Sequence, residues 1–149
     1  MSGTILLVEG AAANRITLRT KLAGAGHRVV TTVDIAKLPS LAVERRADIL
    51  LGDLDTNFPT LLSAWKEIRE RKPDTHPDFI GLTATRDTDR RCTALSAGAL
   101  SIVEKSPKTS TLMALLRRTM RERAALNPLI ETSLFELSEL GLEAPGNAK

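Results

Sequence analysis

Four residues with an acidic, hydroxyl or ammonium side chain stand at or just after the ends of short apolar runs. They are Glu9, Asp53, Thr83 and Lys105. A carboxylate in such a place can attack a phosphoryl donor. A lysine can pair with that carboxylate and then with a phosphoryl oxygen, and a hydroxyl can donate to another oxygen of the group. A second acid can help hold a divalent cation, which neutralises charge during transfer.

Each of these residues also has a purely structural explanation. Asp53 could cap a turn or the following helix, and Glu9 could cap a loop. Thr83 could be a strand hydroxyl bonded to the backbone, and Lys105 an ordinary surface lysine. Their shared position at strand ends, in this order, favours a common site over four separate structural roles.

The elements that must position these residues alternate along the chain. Apolar or β-branched runs predict strands at Thr4–Val8, Arg28–Thr32, around Ile49–Leu51, at Phe79–Thr83 and at Ser101–Glu104. Helical spacing predicts helices from about Asn14 to Gly24, from Pro39 to about Arg45, through Leu61, Trp65 and Ile68, from Thr85 or Asp87 to Gly98, and through Leu112 to Met120. Such alternation predicts an α/β fold with a five-stranded parallel sheet that is doubly wound. Polar groups at the strand ends then face the crevice where ligands bind.

Several finer features are predicted for the second half of the chain. The fourth helix should bury Cys92 and Leu95, and the fifth should end in a basic turn (Arg117, Arg118, Arg121, Arg123). Residues 128–140 should form one more amphipathic helix through Ile130, Leu134 and Leu137, ended by Gly141. The chain thus divides into a domain over residues 1–124 and a helical extension or linker over residues 125–149.

Composition excludes several classes of protein. Cys92 is the single cysteine, so no internal disulfide can form, which fits a reducing cytosol. No apolar run approaches the length of a membrane span. The formal net charge is +3, but bases and acids are mixed along predicted helices and no aromatic residues lie between them. We therefore expect neither a nucleic-acid nor a membrane partner, and a cytoplasmic location.

Five segments together resemble a known family. They are Ile5-Leu6-Leu7-Val8-Glu9, Ile49-Leu50-Leu51-Gly52-Asp53-Leu54, Gly81-Leu82-Thr83-Ala84, Ser96-Ala97-Gly98-Ala99 and Lys105-Ser106-Pro107. Over residues 4 to about 124 the sequence resembles the receiver domain of two-component response regulators, which has the (βα)5 flavodoxin-like fold of CheY. The run Ala12-Ala13-Asn14-Arg15, followed by Lys21-Leu22, further resembles the first receiver of PleD-type diguanylate cyclase regulators.

The resemblance implies a role for each residue of the site. Asp53 would be the phosphoacceptor, Thr83 the switch hydroxyl and Lys105 the lysine typical of the family. Mg²⁺ would be held by Glu9, Asp53 and Asp55. The partner would be a histidine kinase or a phosphotransfer protein, and the output a changed surface around the fourth helix and fifth strand. A homodimer and an attached output domain are compatible with this; a PleD-type protein would continue into a second receiver and a cyclase domain. No enzymatic activity beyond self-phosphorylation is implied for the chain itself.

The sequence departs from the family pattern in ways that bear on the chemistry. Gly10 replaces the second of two adjacent acids, so Mg²⁺ should bind weakly, although the Asp55 carboxylate could compensate. Ile102 replaces the switch aromatic, and Ser106 interrupts the usual Lys-Pro. These changes support an alternative: a pseudo-receiver that serves as a protein-interaction or dimerisation module without phosphorylation. A flavodoxin-like enzyme is disfavoured because no glycine-rich phosphate loop follows any strand.

Overall fold

Strands and helices alternate along the part of the chain that the structure, a computed structural model, describes: residues 3–106 and 108–139, with side chains as far as residue 126. The strands are β1 (Thr4–Val8), β2 (Arg28–Thr31), β3 (Ile49–Asp53), β4 (Asp78–Thr83) and β5 (Ser101–Glu104). The helices are α1 (Ala12–Gly24), α2 (Leu38–Glu44), α3 (Phe58–Arg71), α4 (Thr88–Ser96) and α5 (Ser110–Glu139), with a 3₁₀ turn at Ile35–Lys37 before α2.

The strands form one parallel sheet in the order β2-β1-β3-β4-β5. Val8 of β1 pairs with Gly52 of β3, and Asp53 pairs with Leu82 of β4. The chain reverses its direction of strand addition between β1 and β3, so the crevice of a doubly wound sheet opens beyond these two strands. The predicted fold class is confirmed.

The core lies on both faces of the sheet because successive strand residues point to opposite sides. Leu6, Leu50 and Phe79 face α2, α3 and α4. Ile5, Leu7, Ile49 and Leu51 face α1 and α5. All five residues of β1 and of β3 are buried, which explains why these strands read as unbroken apolar runs.

The fourth helix packs differently from the prediction. Cys92 is exposed and Leu95 is 49% exposed, whereas Ala94 is fully buried and Ala97 packs on the same core cluster. The prediction that Cys92 and Leu95 are buried is therefore wrong. Ala94 and Ala97 lie three positions apart and pack on this core cluster, and small residues give a weaker apolar signal than the larger neighbours chosen from the sequence.

The fifth helix is also longer than predicted. It runs without a break from Ser110 to Glu139, so it does not end in the basic turn, and the segment from residue 128 belongs to it. Arg118 instead forms an ion pair along the helix, with its Nε 3.0 Å from Glu122 Oε1 one turn further on. The side chains of Ile130, Leu134 and Leu137, and Gly141, lie outside the described residues. Among the described helices, none is long and apolar enough to cross a membrane.

Candidate functional site

The four predicted site residues meet at the carboxyl edge of the sheet. Glu9 follows β1, Asp53 ends β3, Thr83 ends β4 and Lys105 follows β5. The backbone N–H of Lys105 donates to the Thr83 carbonyl at 2.8 Å, which brings the end of β5 beside that of β4. Parallel strands and right-handed connections thus gather residues that are up to 96 positions apart in sequence.

The ammonium group of Lys105 lies among three carboxylates. Its Nζ is 2.8 Å from Asp53 Oδ1, 3.3 Å from each carboxylate oxygen of Glu9 and 3.6 Å from Asp55 Oδ2. This single cation offsets the repulsion among acids that the sheet brings together.

Asp53 is 2% exposed and accepts several hydrogen bonds. Its Oδ1 accepts from the Asp55 backbone N–H at 2.9 Å, and its Oδ2 from Thr56 Oγ1 at 2.9 Å and from the Gly10 N–H at 3.3 Å. Burial alone would raise the pKa of Asp53, but the hydrogen bonds from Lys105, the Asp55 N–H and Thr56 outweigh it and hold this pKa below its usual value. Asp53 is therefore an ionised, buried carboxylate.

The pKa of Lys105 is raised above its usual value. Burial would lower it, but the hydrogen bond to Asp53 and the charges of Asp53 and Glu9 outweigh burial and raise the pKa. Lys105 is thus a permanent cation at neutral pH, so the Asp53–Lys105 contact is an ion pair.

Glu9 is the most buried acid of the site, at 1% exposed. Its Oε1 accepts from the Ala11 N–H at 3.1 Å, and Arg15 Nη1 donates to its backbone carbonyl at 2.9 Å. Its Oε2 is buried and lacks a hydrogen-bond partner among the described residues, although Lys105 Nζ lies within ion-pair distance. A buried carboxylate oxygen with spare capacity is suited to a cation.

Asp55 is held by groups from β4 and α4. Its Oδ1 accepts from Thr83 Oγ1 at 2.6 Å and from Arg90 Nη1 at 3.3 Å, and its Oδ2 accepts from the Ala84 N–H at 2.7 Å. Both carboxylate oxygens are therefore occupied by donors on the β4–α4 side of the site.

Thr56 occupies the space that a side chain at residue 10 would need. An ideal Cβ at Gly10 would lie 2.6 Å from Thr56 Oγ1 and 3.2 Å from its Cγ2. Thr56 thus occupies the space beside Gly10 that the side chain of a second acid would enter. In the part of the chain that the structure describes, no three acidic, histidine or cysteine side chains are set to hold a metal ion.

Sequence reasoning missed three contributors: Thr56, Arg90 and the Ala84 N–H. Thr56 follows Asp53 by three positions, a spacing at which a short hydroxyl side chain can reach back to a carboxylate. Arg90 stands in the first turn of α4, after the cap Asp87, whose Oδ1 accepts from the Arg90 N–H at 3.0 Å. The start of a helix that follows β4 must lie near the same sheet edge, and this could have indicated Arg90.

No family model matches the sequence. The chain is 33% identical over 133 residues to the probable transcriptional regulator ycf27 of Guillardia theta, covering 87% of this chain and 50% of that protein. The chain therefore spans about half the length of the curated relative that it matches.

Solved structures show the same fold. The receiver domain of a sensor histidine kinase from Pseudomonas aeruginosa PAO1, with a magnesium ion coordinated in its active site cleft, is 29% identical with a TM-score of 0.69, over 79% of this chain and 97% of that one. Chemotaxis protein CheY4 of Vibrio cholerae is 21% identical with a TM-score of 0.70, over 80% and 99% of the two chains. A response regulator from Thermotoga maritima is 18% identical with a TM-score of 0.70, over 81% and 99%.

Proposed function

We propose that this chain, a CheY-like receiver domain of the two-component response-regulator type, accepts a phosphoryl group on Asp53. The observation that carries the proposal is the ionised Asp53 carboxylate, buried at the carboxyl edge and 2.8 Å from Lys105 Nζ. A carboxylate oxygen of Asp53 attacks phosphorus, and the bond from phosphorus to the donor's leaving group breaks. The leaving group departs with the electron pair, and an acyl phosphate forms.

We assign Lys105 and Thr83 to binding the phosphoryl group once it is attached to Asp53. Once Asp53 carries the phosphoryl group, the Lys105 ammonium is free to pair with a phosphoryl oxygen instead of the carboxylate. The Thr83 hydroxyl is a suitable donor to a second oxygen of the group. Thr83 and Lys105 lie at the ends of β4 and β5, so these contacts would alter the surface formed by α4 and β5.

Mg²⁺ is the cofactor we propose, with Glu9, Asp53 and Asp55 as candidate ligands. The Oε2 of Glu9, which accepts no hydrogen bond from the described residues, and the ionised Asp53 supply the hard oxygen donors that Mg²⁺ requires. Asp55 could contribute its carboxylate only after releasing Thr83 and Ala84. A bound cation would neutralise charge on the transferred group. Gly10 contributes no carboxylate, so we expect weak binding.

The partners we propose follow from this chemistry. A histidine kinase or a phosphotransfer protein would supply the phosphoryl group in the cytoplasm, and an attached output domain or a second copy of the chain would read the α4–β5 surface. The likeness to PleD-type regulators, in which the output is a cyclase, rests on Ala12-Ala13-Asn14-Arg15 and remains a proposal.

A second candidate function, a pseudo-receiver that binds partners without phosphorylation, is favoured by one observation. Thr56 fills the space beside Gly10, and Lys105 already pairs with three carboxylates. A domain whose site residues are already paired in this way can keep the receiver fold without accepting a phosphoryl group.

The two functions are separated by intact mass after incubation with a small phosphodonor and Mg²⁺. We expect the native chain to gain the mass of one phosphoryl group and Asp53→Asn to gain none. Asp89→Asn is the matched control, because it removes an exposed carboxylate of the first turn of α4 and should label like the native chain. Labelling that survives in Asp53→Asn would contradict the assignment of Asp53. No adduct at high Mg²⁺ would favour the pseudo-receiver.

A further inference from the structure

The carboxylate of Asp55 makes the contacts that a phosphoryl group would need. Thr83 Oγ1 donates to one oxygen at 2.6 Å, and the Ala84 N–H donates to the other at 2.7 Å. Lys105 Nζ is 3.6 Å from that second oxygen. A hydroxyl, a backbone N–H and an ammonium converging on one anionic group form a receptor for an oxyanion.

We propose that Asp55 is an internal occupant of this oxyanion receptor and stands where the oxygens of a phosphoryl group on Asp53 would bind. The inference rests on the proposed function, because it concerns the regulation of the same site. A carboxylate is planar and a phosphoryl group is tetrahedral, but both present negatively charged oxygens. The same hydrogen-bond donors can therefore bind either group. The two anions therefore compete.

The position of Thr83 follows from this contact. Thr83 is 1% exposed, and its hydroxyl donates to Asp55 Oδ1. The Thr85 N–H in turn donates to Thr83 Oγ1 at 3.1 Å, so the start of the β4–α4 loop is organised around this hydroxyl. Asp55 thereby holds the Thr83 hydroxyl at the end of β4.

Helix α4 is tied to the same carboxylate. Arg90 Nη1 lies 3.3 Å from Asp55 Oδ1, and the Arg90 guanidinium also lies over the Phe58 ring at the start of α3, 5.8 Å from its centroid. A charge on residue 55 thus fixes the N-terminal turn of α4 against β4 and α3. Phosphorylation would have to displace Asp55 from Thr83 and Ala84 before it could act on α4.

Two consequences follow for regulation. In the unphosphorylated chain Asp55 holds α4 through Arg90, and entry of a phosphoryl group is slowed because the donors of the receptor are already occupied. Asp55 is a positioning residue in this scheme, since it acts through Thr83, Ala84 and Arg90 and does not touch the phosphorus atom.

The test uses inorganic sulfate, an oxyanion that cannot phosphorylate the chain, with the full chain in an Asp53→Asn background. The Ala84 amide resonance is followed by NMR during titration. We expect Asp53→Asn/Asp55→Ala to bind sulfate at least about tenfold more tightly than Asp53→Asn, because the donors are released and a like charge is removed. The matched control Asp53→Asn/Asp89→Ala has the same net charge and should bind like Asp53→Asn.

Equal sulfate affinity for Asp53→Asn and Asp53→Asn/Asp55→Ala would overturn the inference, and so would an equal gain in the Asp89 control. If the alanine variant fails to unfold cooperatively, Asp53→Asn/Asp55→Asn replaces it, with a smaller gain expected in the same direction. Both proteins lack the Asp53 carboxylate, so this result is independent of phosphorylation. Failure of the mass experiment would therefore reject the proposed function without deciding the role of Asp55.

Discussion

The side chains around Lys105 determine how the site responds to protons and cations. Lys105 pairs with Glu9, Asp53 and Asp55, and Asp55 also accepts hydrogen bonds from Thr83 and the Ala84 N–H at the end of β4. Burial makes each charge costly by itself, so the arrangement persists only while the charges are paired. The native state of this site is therefore sensitive to any change in the charge of one member.

The first prediction concerns acid stability. The pKa of Asp53 is lower in the folded than in the unfolded chain, so its contribution to stability is present above the ordinary pKa of an aspartate and is lost as pH falls through the folded value. Asp53→Asn should flatten the fall in the free energy of unfolding between about pH 5 and about pH 2. Urea unfolding at several pH values measures this slope. The exposed Asp89→Asn should retain the native slope; an unchanged slope in Asp53→Asn would contradict the ionised state of Asp53.

The second prediction concerns Mg²⁺ and the space beside Gly10. Gly10→Asp should tighten Mg²⁺ binding, and Gly10→Asp/Thr56→Ala should tighten it further, because the double variant removes the hydroxyl that a Cβ at residue 10 would meet at 2.6 Å. Titration with Mg²⁺ by calorimetry gives the affinities. Thr56→Ala alone is the control and should show no gain. If neither variant carrying Asp at residue 10 improves on the native chain, the missing carboxylate does not explain weak binding.

At the scale of elements, α4 is held to α3 through the turn that ends it. Trp65 Nε1 and Arg69 Nη1 of α3 both donate to the Ala97 carbonyl, at 2.8 Å and 2.7 Å. Gly98 follows with φ +105°, a left-handed conformation that side chains rarely adopt, and an added Cβ would lie 2.8 Å from Arg69 Nη1. The end of α4 therefore depends on a glycine at this position.

The third prediction compares two glycines at helix ends. Gly98→Ala should lower the free energy of unfolding by about 1 kcal/mol or more, because a left-handed conformation is strained for alanine. Gly24→Ala is the matched control: a Cβ there meets nothing within 4 Å, and alanine should stabilise the end of α1 by about 0.5–1 kcal/mol. Urea unfolding of both variants gives the sign. A stabilising Gly98→Ala would show that the turn does not require its positive φ.

At the scale of the whole molecule, α5 completes the core and forms ion pairs at the edge of the sheet where β3 and β4 begin. Met120 is 3% exposed and packs with the core cluster formed on the α1 side. Arg123 Nη1 is 3.1 Å from Asp78 Oδ2, and its Nε is 3.6 Å from Asp48 Oδ1. Met120 and Arg123 both lie within the predicted domain over residues 1–124, whose boundary stays a prediction.

The fourth prediction tests this boundary. A chain that ends after Leu126 should keep its free energy of unfolding within about 0.5 kcal/mol of the full chain, because the described core residues and the Arg123 contacts are retained. Met120→Ala in the full chain should lower it by about 2–5 kcal/mol through the cavity it leaves. Denaturant unfolding measures both. A large loss in the shortened chain would place part of the folding unit beyond residue 126.

The extent of sequence-based prediction differed among the helices. The sequence predicted that α1 starts at Asn14 or at an alanine before it, and it starts at Ala12; the predicted glycine end at Gly24 and Asp87, one of two predicted caps of α4, are also observed, because glycine stops and side-chain caps are local signals. The buried face of α4 and the continuation of α5 beyond Arg123 were not predicted, because packing against distant elements decided both. In α4 the small residue Ala94 is buried in the core cluster, whereas the larger Leu95 is exposed.

By itself, the sequence determined the order of elements, the parallel sheet and the meeting of Glu9, Asp53, Thr83 and Lys105 at one edge. Local periodicity gives the strands, and the handedness of their connections leaves few ways to arrange them. Only the tertiary structure decided which partner each side chain takes: Asp55 bonds to Thr83, 28 residues away, and Thr56 fills the space beside Gly10. A rotamer is chosen by neighbours that the fold brings together, so residue order alone does not determine these contacts.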